Sequence, residues 1–357
     1  LTAPMNTNTL KNFPLLAMVS FAASFSFATV ALAETGRETL AADALFTEWN
    51  VHSSLGLDAA LFVGALTGDK LQSEYYGSET ADFRGRFDAE TLASLDRVGA
   101  MATQSGTLVG PLLALVFSAA PADTLEDVIA SARDPESRIR PAFEASAYWN
   151  ADRWPGLRDR VMPEVLRILL SLEEAGFEAY WKEQAEPSIA AKLTEMRELL
   201  ASYDVIPEQQ RLLARPLDPE IELVLLHFTK PYGVKIIGQR FVSHHSWNAD
   251  TQLRTAAHEI FHPPFDPYDS ELLASLEDLQ NDPWMQSIVE DHDPAFGYNS
   301  FEGVLNEDST SALDQIVAER LGFARNPAER WQTVDDGMHM LAAALYQLMK
   351  EDGFVER

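Results

Sequence analysis

The stretch Thr255-Ala256-Ala257-His258-Glu259-Ile260-Phe261-His262 contains an H-E-x-x-H sequence within an amphipathic pattern. On a helix, residues four apart lie on the same face, so His258 and His262 stack one above the other. Two imidazoles in that arrangement can ligate one Zn²⁺, and Glu259 between them can act as a base toward a water that the metal activates. The spacing therefore predicts a metal-bearing helix around which the fold is organised.

The apolar residues of this helix form a separate face. They follow the i, i+3, i+4, i+7, i+8 pattern of a buried surface and are Leu253, Ala256, Ala257, Ile260 and Phe261. His258 and His262 fall on the opposite side, as they would at the floor of a cleft. Asn248 or Asp250 can cap the helix, and Pro263-Pro264 must end it after His262.

Two segments rich in Ile, Val, Leu and Phe precede this helix. They are Glu220–Phe228 and Gly233–His244, and Pro231-Tyr232-Gly233 between them carries turn residues. The pattern predicts two neighbouring strands that form a hairpin. The second strand is expected to lie along the cleft, where its backbone can pair with an extended peptide.

The chain before these strands has mostly helical periodicity, with few β-branched runs. The predicted helices are Asp88–Met101, Thr107–Ala119, Pro163–Gly176 and Ser188–Tyr203. The best domain boundary lies within Pro207–Pro219, which divides a helical N-terminal region (34–212) from a metal-binding catalytic region (213–357). The fold class is thus α+β, mostly helical, with a small sheet before the H-E-x-x-H helix.

The composition limits the ligands and the partners. Among 357 residues, 46% are hydrophobic, enough for a globular core, and none is cysteine, so any metal must sit on His, Asp or Glu. Acidic residues outnumber basic ones 55 to 27, which gives a net charge of -28. Such a surface repels phosphate backbones and anionic membranes, so we expect no nucleic-acid partner.

The N-terminus has the layout of a secretory signal peptide over residues 1–33. A polar start with Lys11 is followed by an apolar run, Phe13–Leu32, and by the small-x-small site Ala31-Leu32-Ala33. The alternative is a membrane anchor, which is less favoured because Ser, Thr and Ala dilute the run. We therefore expect an exported protein, periplasmic or extracellular, with no stable membrane insertion after cleavage.

A catalytic zinc takes three protein ligands, so the two histidines need a third partner. The segment 300–322 is predicted to be helical from at least Leu305, and it offers the carboxylates of Glu302, Glu307 and Asp308. No second His-rich motif lies nearby, which favours a carboxylate over a third histidine. Spacing alone leaves the three carboxylates open.

The order of strand pair, H-E-x-x-H helix and a second helix with Asn306-Glu307 resembles the glutamate-type zincins, the thermolysin-like zinc metallopeptidases. The resemblance covers about residues 220–322. In that family the third ligand often follows an asparagine, which implies Glu307 here, then Glu302, then Asp308. It also implies a secreted zinc metallopeptidase that hydrolyses peptide bonds in a peptide or protein substrate. This chain departs from the family in its long gap between His262 and Glu307 and in the prolines after His262.

Sites of this kind usually add a Tyr or His that donates to the developing oxyanion. The candidates are His244, His245, Tyr268, Tyr298 and His292. The remaining histidines, His52, His227 and His339, are isolated in the sequence. Met338-His339-Met340 on a last predicted helix (331–349) indicates alternation of core and surface. A rival interpretation is a non-catalytic exported protein that keeps the zincin shape for binding or structure.

Overall fold

A computed structural model describes residues 45–354 apart from 267, 268, 294, 295 and 297. The fold is α+β, as predicted: helices predominate, and a four-stranded sheet precedes the H-E-x-x-H helix. The proposed signal peptide lies outside the described residues.

The described N-terminal half contains one strand and twelve helices. They are β1 (Glu48–His52), α1 (Leu55–Leu66), α2 (Lys70–Arg86), α3 (Ala89–Ser105), α4 (Val109–Phe117), α5 (Leu125–Arg133), α6 (Pro135–Arg138), α7 (Arg140–Glu144), α8 (Trp154–Gly156), a π-helical turn (Leu157–Val161), α9 (Met162–Glu174), α10 (Phe177–Gln184), α11 (Glu186–Leu200) and α12 (Val205–Leu213). The four helices predicted here correspond to α3, α4, α9 and α11. Strand β1 was missed.

The described C-terminal half contains three strands and seven helices. They are β2 (Glu220–Leu226), β3 (Val234–Ile236), β4 (Arg240–His244), α13 (Ala249–Glu259), α14 (Ser270–Ser275), α15 (Glu277–Gln280), α16 (Pro283–Asp291), α17 (Phe301–Leu321), α18 (Pro327–Thr333), a 3-10 turn (Val334–Gly337) and α19 (Met340–Glu351).

Apart from Asp58, helix α1 is apolar on all sides, and it is buried along its whole length, as expected of a central helix. The Ser54 side chain caps it by accepting a hydrogen bond from the Leu57 N–H at 2.9 Å. Helices α2, α4, α5 and α9 pack around it, and β2 lies alongside. Its backbone meets α4 so closely that a Cβ on Gly64 would lie 2.6 Å from the Gly110 nitrogen. The crossing therefore requires glycine at position 64.

The sheet differs from the predicted hairpin. Its order is β1-β2-β4-β3, and β2 pairs with β4 in parallel, with Val224 opposite Val242. Only β3 and β4 are antiparallel, with Gly238 (φ 84°) in the turn between them. Strand β1, from the region predicted to be helical, pairs in parallel with β2. The second predicted strand is therefore two strands, and the hairpin prediction was wrong.

Contacts at the end of β2 explain why the chain does not turn straight back. The buried carboxylate of Asp58 on α1 accepts hydrogen bonds from the N–H groups of His227 and Phe228, at 2.9 and 2.6 Å. The Tyr76 hydroxyl on α2 donates to the His227 carbonyl at 2.7 Å and accepts from the Lys230 N–H at 2.8 Å. Because these bonds carry the chain away from β2, the position beside β2 is taken by β4.

The outer edge of the sheet is covered. Strand β3 is the edge strand on the side of β4, and its residues Val234 and Ile236 are fully buried beneath α4. Just beyond β3, the Ile237 N–H donates to the Ser118 hydroxyl at 3.0 Å. The strand that was expected to pair with an extended peptide is thus split, with β4 inside the sheet and β3 under a helix.

Helix α17 is the central helix of the C-terminal half. Ser300 caps it by accepting from the Gly303 N–H at 3.1 Å, and most of its residues are buried. It packs against α12, α13, α16 and α19. The prediction of a helix from Leu305 is confirmed, with one extra turn before it.

The predicted last helix is broken. Asp335 and Asp336 adopt left-handed backbone conformations (φ 46° and 56°), which a continuous helix does not allow, so α18 ends before them and α19 begins after them. Met338 and His339 are buried and Met340 is exposed, in keeping with the expected alternation.

Among the described helices, none alone has the length and apolar composition needed to cross a membrane. Helices α3 and α4 reach the required length and apolar composition only when they are counted together, and the two helices meet at a bend of 95°.

We predict that Gly64→Ala lowers the free energy of unfolding by about 1–3 kcal/mol, because the added methyl group forces the backbones of α1 and α4 apart. The matched control is Gly85→Ala on α2, where nothing lies within 4 Å of an added Cβ. That change should raise the free energy of unfolding by up to about 1 kcal/mol through backbone entropy. Urea unfolding measures both, and equal effects would contradict the close crossing.

Candidate metal centre

Helix α13 presents the H-E-x-x-H residues. Asn248 caps it by accepting from the Thr251 N–H at 2.9 Å, which decides between the two predicted caps. The helix ends at Glu259, three residues earlier than predicted. The next residues form a tighter turn in which the His262 N–H donates to the Glu259 carbonyl at 3.2 Å. His262 therefore lies just beyond the helix but still above His258.

Both faces of α13 are buried. The apolar arc from Leu253 to Phe261 lies in the core, as predicted. The opposite face does not line an open cleft, because α17 packs against it. Only 7% of the surface of His258 and 5% of that of His262 is exposed. The histidines therefore face a neighbouring helix rather than bulk solvent.

Three side chains converge between α13 and α17. His258 Nε2 lies 2.9 Å from His262 Nε2 and 3.2 Å from Glu307 Oε1, and His262 Nε2 lies 3.5 Å from Glu307 Oε2. Ligands of a tetrahedral zinc, each about 2.0–2.2 Å from the ion, lie about 3.3–3.5 Å from one another. The two imidazole planes cross at 72°, which allows their in-plane lone pairs to point at one position. The three side chains of this triangle could therefore hold a single metal ion.

Further hydrogen bonds orient the two imidazoles. His258 Nδ1 lies 2.7 Å from Asp314 Oδ2, so the Nδ1–H donates to the carboxylate and Nε2 is left to face Glu307. Arg330 in turn holds Asp314, with Nη2 donating to Oδ2 at 2.9 Å. His262 Nδ1 lies 3.3 Å from the Thr310 hydroxyl, which turns its Nε2 toward His258. Both Nε2 atoms are thus directed at the same position.

The charges around the triangle favour a cation. Burial by itself would lower the pKa of His258, but the charge of Glu307 and the hydrogen bond to Asp314 outweigh it and raise that pKa well above its usual value. Burial and the charge of His258 lower the pKa of His262 well below its usual value. The surroundings therefore stabilise a positive charge on His258, whereas burial and that charge oppose a second one on His262.

Glu259 lies beside this triangle and is fully buried. Burial raises the pKa of its carboxyl group to about 8, against the opposing charges of His258 and Lys235. The backbone N–H of Lys235 is close enough to lower this pKa, but neither carboxylate oxygen makes a hydrogen bond of good geometry to the part of the chain that the structure describes. A buried carboxylate without partners is costly, so its retention points to a functional role.

The other two candidate carboxylates lie elsewhere. Asp308 is fully buried but turned toward α19, where it accepts from the Ala342 N–H at 3.0 Å and lies 2.6 Å from His339 Nδ1. Glu302 sits in the first turn of α17, is part-exposed and is not in the group around the two histidines. Of the three, only Glu307 is brought to His258 and His262.

The oxyanion candidates are dispersed. Tyr298 is buried with its ring edge-on to that of His339, at 5.4 Å between the centroids, and burial together with the charge of Glu307 raises the pKa of its hydroxyl. His292 ends α16, with Nδ1 3.0 Å from the Ile288 carbonyl. Tyr268 lies outside the described residues.

His244 and His245 form a second cluster with His227, which looked isolated in the sequence. Their potential ligand atoms lie within 4.8 Å of one another. The His245 ring is stacked on both neighbours, at interplanar angles of 29° and 19°. Stacked rings present their faces to each other, whereas a shared ion must lie in the plane of every ring. His244 Nδ1 also accepts from the Ser246 N–H at 3.0 Å. The cluster therefore lacks the convergence seen at His258 and His262.

Two residues near Glu259 were missed at the sequence level. Lys235 on β3 is buried, and burial lowers the pKa of its ammonium group to about 7 although the charge of Glu259 opposes this. The Tyr148 hydroxyl, from the N-terminal half, is buried without a hydrogen-bond partner among the described residues, and its pKa is raised by burial and by the charge of Glu259. Neither belongs to a recognisable motif, so no local signal marked them.

The buried group of His258, His262 and Glu307 after a small sheet is compatible with a zincin-like metal site. Comparison of the chain with protein-family models, with curated proteins and with solved structures finds no match. The support for a metal site is therefore the geometry of these three side chains.

We predict that the wild-type protein binds one equivalent of Zn²⁺ and that Glu307→Gln weakens this binding more than about 100-fold, because a charged ligand is lost. The control is Glu302→Gln on the same helix, which should bind zinc like the wild type. Competition with a chromogenic chelator measures both. An equal loss of zinc affinity in Glu307→Gln and Glu302→Gln would exclude Glu307 as the specific ligand.

Asp314→Asn is expected to weaken zinc binding about 10–100-fold, since the amide no longer fixes the Nδ1–H tautomer of His258. Asp308→Asn is the matched control, because Asp308 is equally buried on α17 but faces His339. That variant should lose stability and keep its zinc affinity. The same chelator titration, together with urea unfolding, separates the two effects.

Proposed function

We propose that this protein is a zinc-dependent metallopeptidase that hydrolyses peptide bonds. The observation that carries the proposal is the convergence of His258, His262 and Glu307, with the fully buried carboxylate of Glu259 beside them. His258, His262 and Glu307 would hold the ion, and their spacing fits tetrahedral zinc.

A bound zinc ion would supply a Lewis acid that polarises the scissile carbonyl and makes water more acidic. Glu259 then takes the proton from the attacking water and passes it to the nitrogen of the leaving amine. A base works best when its pKa lies near the working pH, and burial brings that of Glu259 to about 8. The Tyr148 and Tyr298 hydroxyls, whose pKa values are both raised in part by the charge of Glu259, are the candidates for donors to the developing oxyanion.

The proposal extends to the place where the enzyme acts. The signal-like segment 1–33 supports export to the periplasm or the medium, where peptides and proteins are the available amide substrates. The strongly acidic composition supports a substrate that is neutral or basic rather than a nucleic acid.

Glu259→Gln tests the mechanism. We expect kcat/KM for peptide hydrolysis to fall by a factor of about 10²–10⁴, because the base is lost, while the zinc content and the circular dichroism spectrum stay unchanged. Glu302→Gln serves as the active control. Hydrolysis of a mixed peptide library, followed by mass spectrometry, provides the readout.

Two outcomes would contradict the proposal in different ways. Undiminished hydrolysis by Glu259→Gln would exclude the assigned base. One equivalent of tightly bound zinc without cleavage of any peptide would support the rival function, a non-catalytic zincin-like binding or structural protein.

A further inference from the structure

A cavity of about 330 Å³ lies between the end of α16 and the turn that joins α18 to α19. This volume is within the range of pockets that bind small ligands. The cavity is lined by four carboxylates, those of Asp291, Asp293, Asp335 and Asp336, and by no lysine or arginine. None of its lining residues belongs to the group around the candidate metal ion. It is therefore a separate site with a strongly negative lining.

The ring of His292, the residue after α16, borders this cavity. Its Nδ1 lies 3.0 Å from the Ile288 carbonyl, so the Nδ1–H donates there and Nε2 carries the lone pair of the neutral ring. That nitrogen is buried and has no hydrogen-bond partner in the described chain. A buried acceptor without a partner is costly unless a ligand donates to it.

The polar groups of the cavity that are left for a ligand are all acceptors. Asp335, of which 6% is exposed, has Oδ2 at 2.9 Å from His339 Nε2, and its Oδ1 makes no hydrogen bond within the described chain. The hydroxyl of Ser287 is already engaged, since it donates to the Trp284 carbonyl at 2.7 Å. A ligand that completes this site must therefore bring several N–H or O–H donors.

Most of the charge in the cavity is not balanced by basic side chains. Lys70 Nζ lies 3.4 Å from Asp293 Oδ2, but no lysine or arginine of the described chain lies within 4.0 Å of the carboxylates of Asp291, Asp335 or Asp336. Asp291 also ends α16, where the helix dipole disfavours a negative charge. The donors of the ligand are thus expected to belong to a cation.

The spacing of the acceptors favours an organic cation over a metal ion. Among the described residues, no three potential metal ligands around this cavity lie within 4.8 Å of one another, whereas those of the candidate metal centre do. The cavity also has an apolar wall, formed by Ile288, Phe296 and Met338. An alkyl stem can pack against such a wall, and a planar guanidinium group can stack on an aromatic ring.

We infer that this cavity binds the side chain of an arginine residue in a peptide ligand. The guanidinium group donates to the carboxylates and to Nε2 of His292, and the stem lies against Phe296 and Met338. Arginine suits the site better than lysine because its five N–H donors, held in one plane, can reach several separated acceptors. The site requires neither a metal ion nor Glu259, so the inference does not depend on the proposed peptidase function.

Calorimetry with the full chain tests the ligand class by comparing N-acetyl-arginine amide with N-acetyl-citrulline amide, whose urea group has a similar shape but no charge. We expect the arginine compound to bind at least about 10-fold more tightly, because only its N–H groups form charge-assisted hydrogen bonds with the carboxylates. Equal binding of the two compounds, or binding of neither, would overturn the inference. Tighter binding of Ca²⁺ in competition with the arginine compound would overturn it in favour of a metal site.

Three variants test the location. Asp336→Asn should weaken binding of the arginine compound about 3–10-fold, because a charge-assisted hydrogen bond is lost. Asp152→Asn is the matched control: Asp152 is also exposed, does not line the cavity and loses the same charge, so the affinity should stay unchanged. His292→Phe removes the free nitrogen without removing a carboxylate and should also weaken binding. Equal affinities in Asp336→Asn and Asp152→Asn, or wild-type affinity in His292→Phe, would contradict the assignment, and circular dichroism checks that each variant is folded.

Discussion

The contact between His258 at the end of α13, His262 just after it, and the acidic face of α17 holds the candidate site together. Glu307 and Asp314 lie seven residues apart, which is two turns of helix, so both face α13. Glu307 lies 3.2 Å from Nε2 of His258, and Asp314 lies 2.7 Å from Nδ1 of the same ring. A buried carboxylate that lost its partner would be strongly destabilising. The two helices therefore cannot slide past each other without exposing an uncompensated charge.

The N-terminal half is part of the site's architecture. Strand β1 extends the sheet beside β2, and the buried carboxylate of Asp58 on α1 fixes the backbone that leaves β2. That constraint forces the chain to the far edge, where it forms β3 and carries Lys235 toward Glu259. Tyr148 approaches the same carboxylate from the segment after α7. The polar groups around Glu259 thus come from two segments of the chain that lie nearly ninety residues apart, at Tyr148 and at Lys235.

The charges of the site are compensated unevenly. Asp314 is bonded to both Arg330 and His258, and Asp308 to His339 and to the backbone of α19, so these carboxylates are structural. Glu259 is fully buried, and neither of its carboxylate oxygens makes a hydrogen bond of good geometry within the described chain. Proteins tolerate such groups where a ligand supplies the missing partner. The uneven compensation distinguishes the residues that hold the site from those available for chemistry.

The sequence by itself determined what depends on local spacing: the helical periodicity, the Asn248 cap, and the placement of His258 and His262 on the face opposite the apolar arc. It reduced the third partner to three carboxylates, and only a family resemblance singled out Glu307. Tertiary structure decided which carboxylate reaches the histidines, why β2 pairs with β4 in parallel, and that Lys235 and Tyr148 meet Glu259. The reason is physical: residues three or four apart share a helix face whatever surrounds them, whereas contacts between distant segments depend on how the whole core packs.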